Sequence, residues 1–305
     1  VVPILKKYAE VDVFLSGNNS NVELPFEVKY TSRGLSMEYD RHGGISYLKT
    51  LLTINPFRLY KEIRQFPVGQ YDLVLNDFEF ISARAARLRG VPLVAFSHQA
   101  AVINKNAPKP PGFSGIGGLV LKHYAPTDRA IGFHFKQYDE NIYTPVIRSE
   151  VRQLKPRQLG YITVYLPATG DKEIVNLLHQ IPDIRWEVFS KTARFDVANE
   201  NVSIFPVRND RFMQSLESCS GLLCGAGFEA PAEALFLGKK LFVIPIQGQY
   251  EQYCNAAALK AMGVPVGFHF NKQLLTQLKQ WLIDEWQIKV AFPDQTEEII
   301  KRLLL

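Results

Sequence analysis

The chain has 305 residues, 47% of them hydrophobic and 21% charged, with a formal net charge of +5, which is enough length for two ordinary domains and enough apolar content for a packed core. The basic residues are scattered and form no dense run, so a nucleic-acid footprint is excluded and only a mild preference for anionic ligands remains. No apolar run reaches the ~20 residues of a bilayer span, and no signal-peptide pattern is present.

In chain order, "VVPILKKYAE" opens without Met and reads as the tail of a helix leading into the strand "VDVFLSG". In an α/β protein the expected element upstream of Val1 is a first strand with its glycine loop. "YDLVLND" and "PLVAFSH" are further strands, separated by a helical stretch, "FISARAARLRG", that closes on Gly90. Three candidates for a general base follow these strands: Asp77 and Glu79 after "YDLVLN", and His98 after "PLVAF". They stand where strand ends face a ligand in open α/β sheets. Asp77 also reads as a helix cap, and His98 as a loop residue bonded to backbone. His42 is a weaker candidate. "KPPGFSGIGGLVLKHY" reads either as an ordinary loop and helix or as a mobile acceptor loop with a shallow membrane contact.

"NIYTPVIRSEVRQLKPRQLG", residues 141–160, interrupts the strand–helix rhythm with prolines and charges. It divides the chain into residues 1–148 and 149–290, with 291–305 as a terminal helix, capped by Asp294, that packs on either domain. In the second part the runs "YITVYLP", "WEVFS", "GLLCG" and "KLFVIPI" are apolar on both faces, as buried parallel strands are, and helical patterns lie between them. The expected fold is therefore α/β: two doubly wound, Rossmann-like domains facing across a cleft. Three cysteines, Cys219, Cys224 and Cys254, form no paired framework and fit a reducing, cytoplasmic setting.

Two strand–turn–helix units stand out. "GLLCGAGFEAPAEAL" runs a strand into Gly225, Ala226 and Gly227 and then a helix carrying Glu233. Glycines admit a ligand close to the backbone, and free N–H groups at a helix start attract phosphate oxygens. Glu233 reads as a solvated carboxylate or as the acceptor of two ribose hydroxyls. "KLFVIPIQGQYEQYCNAAALKAMG" repeats the design, with Glu251, Gln252 and Asn255 at the helix start. These read as capping residues or as partners for a sugar's ring of hydroxyls.

From Leu222 to Gly263 the chain resembles the donor-binding half of the GT-B glycosyltransferases, of the peptidoglycan N-acetylglucosaminyltransferase and UDP-glycosyltransferase type, and especially a related group of uncharacterised bacterial relatives. The elements carrying the resemblance are the turn at Gly227, Glu233, "LGKKLFVIP" and "EQYCNA". It implies that backbone from Gly225 through Ala226 and Gly227 to Phe228 meets the donor diphosphate, that Glu233 meets the ribose, and that Glu251, Gln252 and Asn255 meet the sugar or adjoining phosphate. "NVSIFPVRND" resembles the base-recognition loop, which implies Val207, Arg208 and Asn209 near the nucleobase; "SHQ" resembles the acceptor side. Two departures stand beside these matches: Gly225 occupies the place of a His or Arg in several relatives, and "LPATGDKE", with Thr169 and Gly170, replaces a glycine-rich phosphate loop.

The implied activity is transfer of a sugar from a nucleoside diphosphate, UDP by resemblance, to a glycan, lipid or small-molecule acceptor. It is expected to be inverting and metal-independent, with no cofactor besides the nucleotide-sugar substrate and with a cytoplasmic location, including the inner face of the membrane as a peripheral site. Two other readings stay open: a nucleotide-sugar epimerase or hydrolase on the same fold, and a non-catalytic sugar-nucleotide or glycan binding protein.

Overall fold

The computed structural model describes residues 1–17, 25–35, 50, 52–111 and 116–304. His42 and part of the loop before Ile116 lie outside them.

The first half opens with α1 (Val2–Leu5) and a parallel pair, β1 (Phe14–Ser16) and β2 (Tyr30–Ser32). Helix α2 (Pro56–Gln65) starts as its sequence dictates, with Pro56 in the first turn and Asn55 Oδ1 accepting from the Arg58 N–H at 2.9 Å. A four-stranded parallel sheet follows: β3 (Val74–Asn76), β4 (Leu93–Ser97), β5 (Arg129–Phe133) and β6 (Ile142–Tyr143), adjacent in that order. Between its strands lie α3 (Phe80–Arg89), α4 (His98–Ile103) and α5 (Ile116–Tyr124). Gly90 ends α3 in the left-handed region, φ 69°, where a Cβ would be strained. Gly132 lets α4 press onto β5: a Cβ there would stand 2.7 Å from the Ala101 backbone nitrogen.

A connection holding the short α6 (Ser149–Arg152) leads to β7 (Tyr161–Tyr165) of the second half. There, α7 (Asp171–Leu178), β8 (Arg185–Ser190), β9 (Val197–Asn199), β10 (Val202–Pro206), α8 (Asn209–Ser218), β11 (Gly221–Gly225), α9 (Glu229–Phe236), β12 (Lys240–Ile244), α10 (Tyr250–Ala261) and α11 (Lys272–Ile283) follow in turn. The six strands lie in the order β12-β11-β7-β8-β10-β9, parallel except for β9. Side chains alternate between two buried clusters. Leu222 and Cys224 face Leu216, Leu235 and Leu259, whereas Leu223 joins Phe242, Trp186 and Leu178 on the other face. From β7 the chain builds outward in both directions, so its order reverses between β7 and β11. A crevice opens outside the carboxyl ends of strands at such a point.

Lys239 is buried, and its ammonium donates to the carbonyls of Arg157, Glu217 and Cys219. It thereby ties the start of β12 to the chain entering β7. After α11 the chain returns: α12 (Thr296–Leu304) packs against α1, and Ile299 joins Phe96 and Phe133 under the first sheet. Among the described residues no helix is long and apolar enough to cross a membrane.

Candidate active site

A cavity of about 480 Å³ lies at the reversal point, lined by Thr169, Gly170, Glu173, Gly225, Ile244, Gln247 and His269 among others. Gly170 and Phe228 are the N-caps of α7 and α9, and neither helix start has a side-chain cap. Their first N–H groups are therefore left for another acceptor. Val207 is exposed after β10, and Arg208 is the N-cap of α8.

The ribose candidate, Glu233, is 4% exposed and is gripped by a residue that the sequence did not single out. Arg148, in the connection between the sheets, donates from Nε to Oε1 at 2.6 Å and from Nη2 to Oε2 at 3.0 Å. Its Nη1 donates to Asn209 Oδ1 at 3.1 Å. Burial raises the Glu233 pKa and Arg148 acts against that rise.

The helix α10 packs on α4 and α5 of the first half. Glu251 Oε2 accepts from Gln99 Nε2 at 3.1 Å. Gln252 Oε1 accepts from the Ile246 N–H at 2.9 Å, which holds the loop after β12. Asn255 is fully buried; its Nδ2 donates to the Ala226 carbonyl at 3.1 Å, and its Oδ1 meets His98 Nε2 at 2.7 Å. Of the three polar residues expected to face a sugar, Gln252 and Asn255 are thus turned inward onto protein, and Glu251 keeps partial exposure.

The base candidates separate clearly. Glu79, not Asp77, caps α3: its carboxylate accepts from the N–H groups of Ile81 and Ser82, from Ser82 Oγ and from Ser16 Oγ, at 2.6–2.8 Å. His98 is buried, with Nδ1 2.7 Å from the Phe133 carbonyl and the ring stacked on Phe228, centroids 3.8 Å apart. Burial lowers its pKa, while Glu251, 4.0 Å away, and its two oxygen partners raise it. Asp77 keeps an exposed surface, yet protein surrounds it on most sides, and burial followed by the charges of Glu229 and Glu251 pushes its pKa up to about 6. It is followed by Phe78 in the left-handed region, φ 52°, stacked on Tyr124 at 4.8 Å. Backbone strain of this kind is held in place by surrounding packing and gathers at functional sites.

Two Rossmann-like units of this topology, with a crevice at strand ends of the second, have the architecture of the GT-B fold. Solved structures agree. Arabidopsis thaliana UGT89C1 complexed with quercetin is similar with a TM-score of 0.59 at 10% identity, covering 99% of this chain and 94% of its own. MurG of Acinetobacter baumannii gives 0.52 at 15%, covering 90% and 84%, and SnogD of Streptomyces nogalater gives 0.51 at 12%, covering 96% and 99%. The sequence itself matches glycosyl transferase family 1 over residues 4–283, and the chain belongs to that family; it is a glycosyltransferase. No curated protein matches it.

Arg148 and the ring of Phe228 were not legible as site residues. Each acts through a partner far along the chain, and no local spacing marks that.

Proposed function

We propose that the protein transfers a sugar from a nucleoside-diphosphate donor, UDP-linked by resemblance, to a hydroxyl of a glycan, lipid or small-molecule acceptor, with Asp77 as the general base. The observation that carries this is the setting of Asp77: exposed, unlike Glu79 not taken up by a helix cap, and with a pKa raised to about 6. A base poised there is ionised near neutral pH and still able to take a proton. Asp77 accepts the acceptor's proton as its oxygen bonds to the anomeric carbon. The bond from that carbon to the diphosphate breaks on the opposite face, so configuration inverts. The uncapped first N–H groups of α7 and α9, beside Thr169–Gly170 and Gly225–Phe228, receive the departing charge, which a metal ion then need not neutralise. Val207, Arg208 and Asn209 flank the nucleobase and Glu233 takes the ribose. No cofactor beyond the donor enters this scheme.

The same reading divides the chain at the 141–160 connection into an acceptor-side and a donor-side domain. Three free, buried cysteines support a cytoplasmic setting. Exposed Leu119 and Lys122 on α5, with Phe57, Tyr60, Lys61 and Arg64 on α2, support a peripheral membrane contact.

The test is calorimetric titration of the chain with UDP, GDP, dTDP and ADP, followed by transfer assays with sugars of whichever binds. One nucleotide should bind in clear preference. Asp77→Asn should then retain binding and lose ~10²–10⁴ in kcat. In the parent protein kcat/KM should rise with pH through about 6 and level off above it, as Asp77 ionises. No binding to any of the four defeats the donor reading, and a retained acid limb in Asp77→Asn removes Asp77 as base.

A further inference from the structure

His98 touches the donor turn from both ends while rooted in the first half. Its backbone is fixed because Ser97 Oγ accepts from the Ala100 N–H at 3.2 Å and because α4 lies against Gly132 with no space for a Cβ. Nδ1 faces the Phe133 carbonyl at 2.7 Å. Across the interface, Asn255 is oriented by the Ala226 carbonyl, which can only accept, so Nδ2 points to Ala226 and Oδ1 to His98 Nε2. The ring also lies flat on Phe228, 9° from parallel, and Phe228 begins α9. Ala226 and Phe228, at either side of Gly227, are thus braced by one imidazole belonging to the other sheet.

We propose that His98 is a positioning residue for glycosyl transfer: through Asn255 and Phe228 it holds the Gly225–Phe228 turn in the form that receives the donor, so the donor site is complete only when the two halves are together. This rests on the reading that the turn meets the donor diphosphate. It takes His98 out of the role of base, because both ring nitrogens are engaged and the ring is 7% exposed. A base needs a nitrogen within reach of the acceptor hydroxyl.

The experiment compares the parent chain with His98→Phe, which keeps the stacking and loses the Nε2 donor to Asn255 Oδ1, and His98→Gln, which restores a donor toward Asn255. Amide exchange is read first, without ligand. In His98→Phe, exchange in segments covering 222–230 and 250–256 should speed up by about tenfold or more while 161–178 is unchanged, with His98→Gln between. With the best-binding of UDP, GDP, dTDP and ADP, affinity should fall by about tenfold in His98→Phe, and donor KM should rise more than kcat falls. Unchanged exchange in both folded variants overturns the proposal. So does a loss of about 10² or more in kcat with donor KM unchanged, the signature of a base. If no nucleotide binds the parent chain, the donor reading fails by itself, and exchange alone decides whether His98 braces the turn.

Discussion

The Arg148–Glu233 pair predicts an asymmetry between its two deletions. Arg148→Ala leaves a carboxylate whose side chain is 5% exposed without its cation, whereas Glu233→Gln leaves a guanidinium that is 43% exposed and can turn to water. Removing one partner from a buried pair costs ~3–5 kcal/mol. The partial exposure of Arg148 lets water replace part of its charge, which brings Arg148→Ala to roughly 2–3 kcal/mol. Glu233→Gln keeps an acceptor for Arg148 and should cost about 1 kcal/mol or less.

The pH dependence of this penalty has a definite sign. Burial raises the Glu233 pKa and Arg148 lowers it. Without Arg148 the raising cause stands alone, so the folded carboxyl holds a proton more tightly than the unfolded one. Stability of the variant is then present at acid pH and lost as pH rises through the raised folded value. The Arg148→Ala penalty should therefore be largest near about pH 8 and shrink near about pH 5.5. Urea unfolding followed by tryptophan fluorescence reads this half selectively, since the three tryptophans are Trp186, Trp281 and Trp286. Equal penalties for the two substitutions, or an Arg148→Ala penalty that grows toward acid, would refute the argument.

Four further substitutions, one of them a control, test the frame around the site. Gly132→Ala sets a Cβ against the Ala101 backbone and should destabilise by ~1–3 kcal/mol, while Gly69→Ala, which meets open space, should be near neutral; thermal melts compare them. Glu79→Ala removes the cap of α3 and should cost ~0.5–2 kcal/mol in denaturant titration, with the acid limb assigned to Asp77 still present in the pH–rate profile. Lys239→Met strands three carbonyls that now share one ammonium, and should cost roughly 2–4 kcal/mol in the same titration.

How much was legible follows from the range over which each interaction acts. The strands of the second half read plainly because "YITVY", "GLLCG" and "KLFVI" are covered on both faces and so are apolar at almost every position. Three short edge strands did not: β2, β6 and β9 are two or three residues long and carry no apolar run. Gly90 ended its helix as read, because the left-handed backbone it supplies is a local requirement. Within the site, the turn at Gly225 and the helix bearing Glu233 were legible because strand, turn and helix follow one another directly in the chain. Their partners were not. Arg148 lies 85 residues from Glu233, and His98 lies 157 from Asn255. Asp77 and Glu79 show the limit at short range: two acids two residues apart exchange the roles of cap and free carboxylate according to which one the Asn76 amide and the α3 N–H groups select.

The chain passes between its two sheets twice, outward through Val146–Leu159 and back through the segment before α12. The passes are pinned side by side: Arg152 Nη2 donates to the Phe292 carbonyl at 3.0 Å, and Phe292 packs in one cluster with Ile147 and Val151. Because the halves are joined through two passes that also bond to each other, a single proteolytic nick in either should leave them held together, and Arg148, in the first pass, should keep its bonds to Glu233.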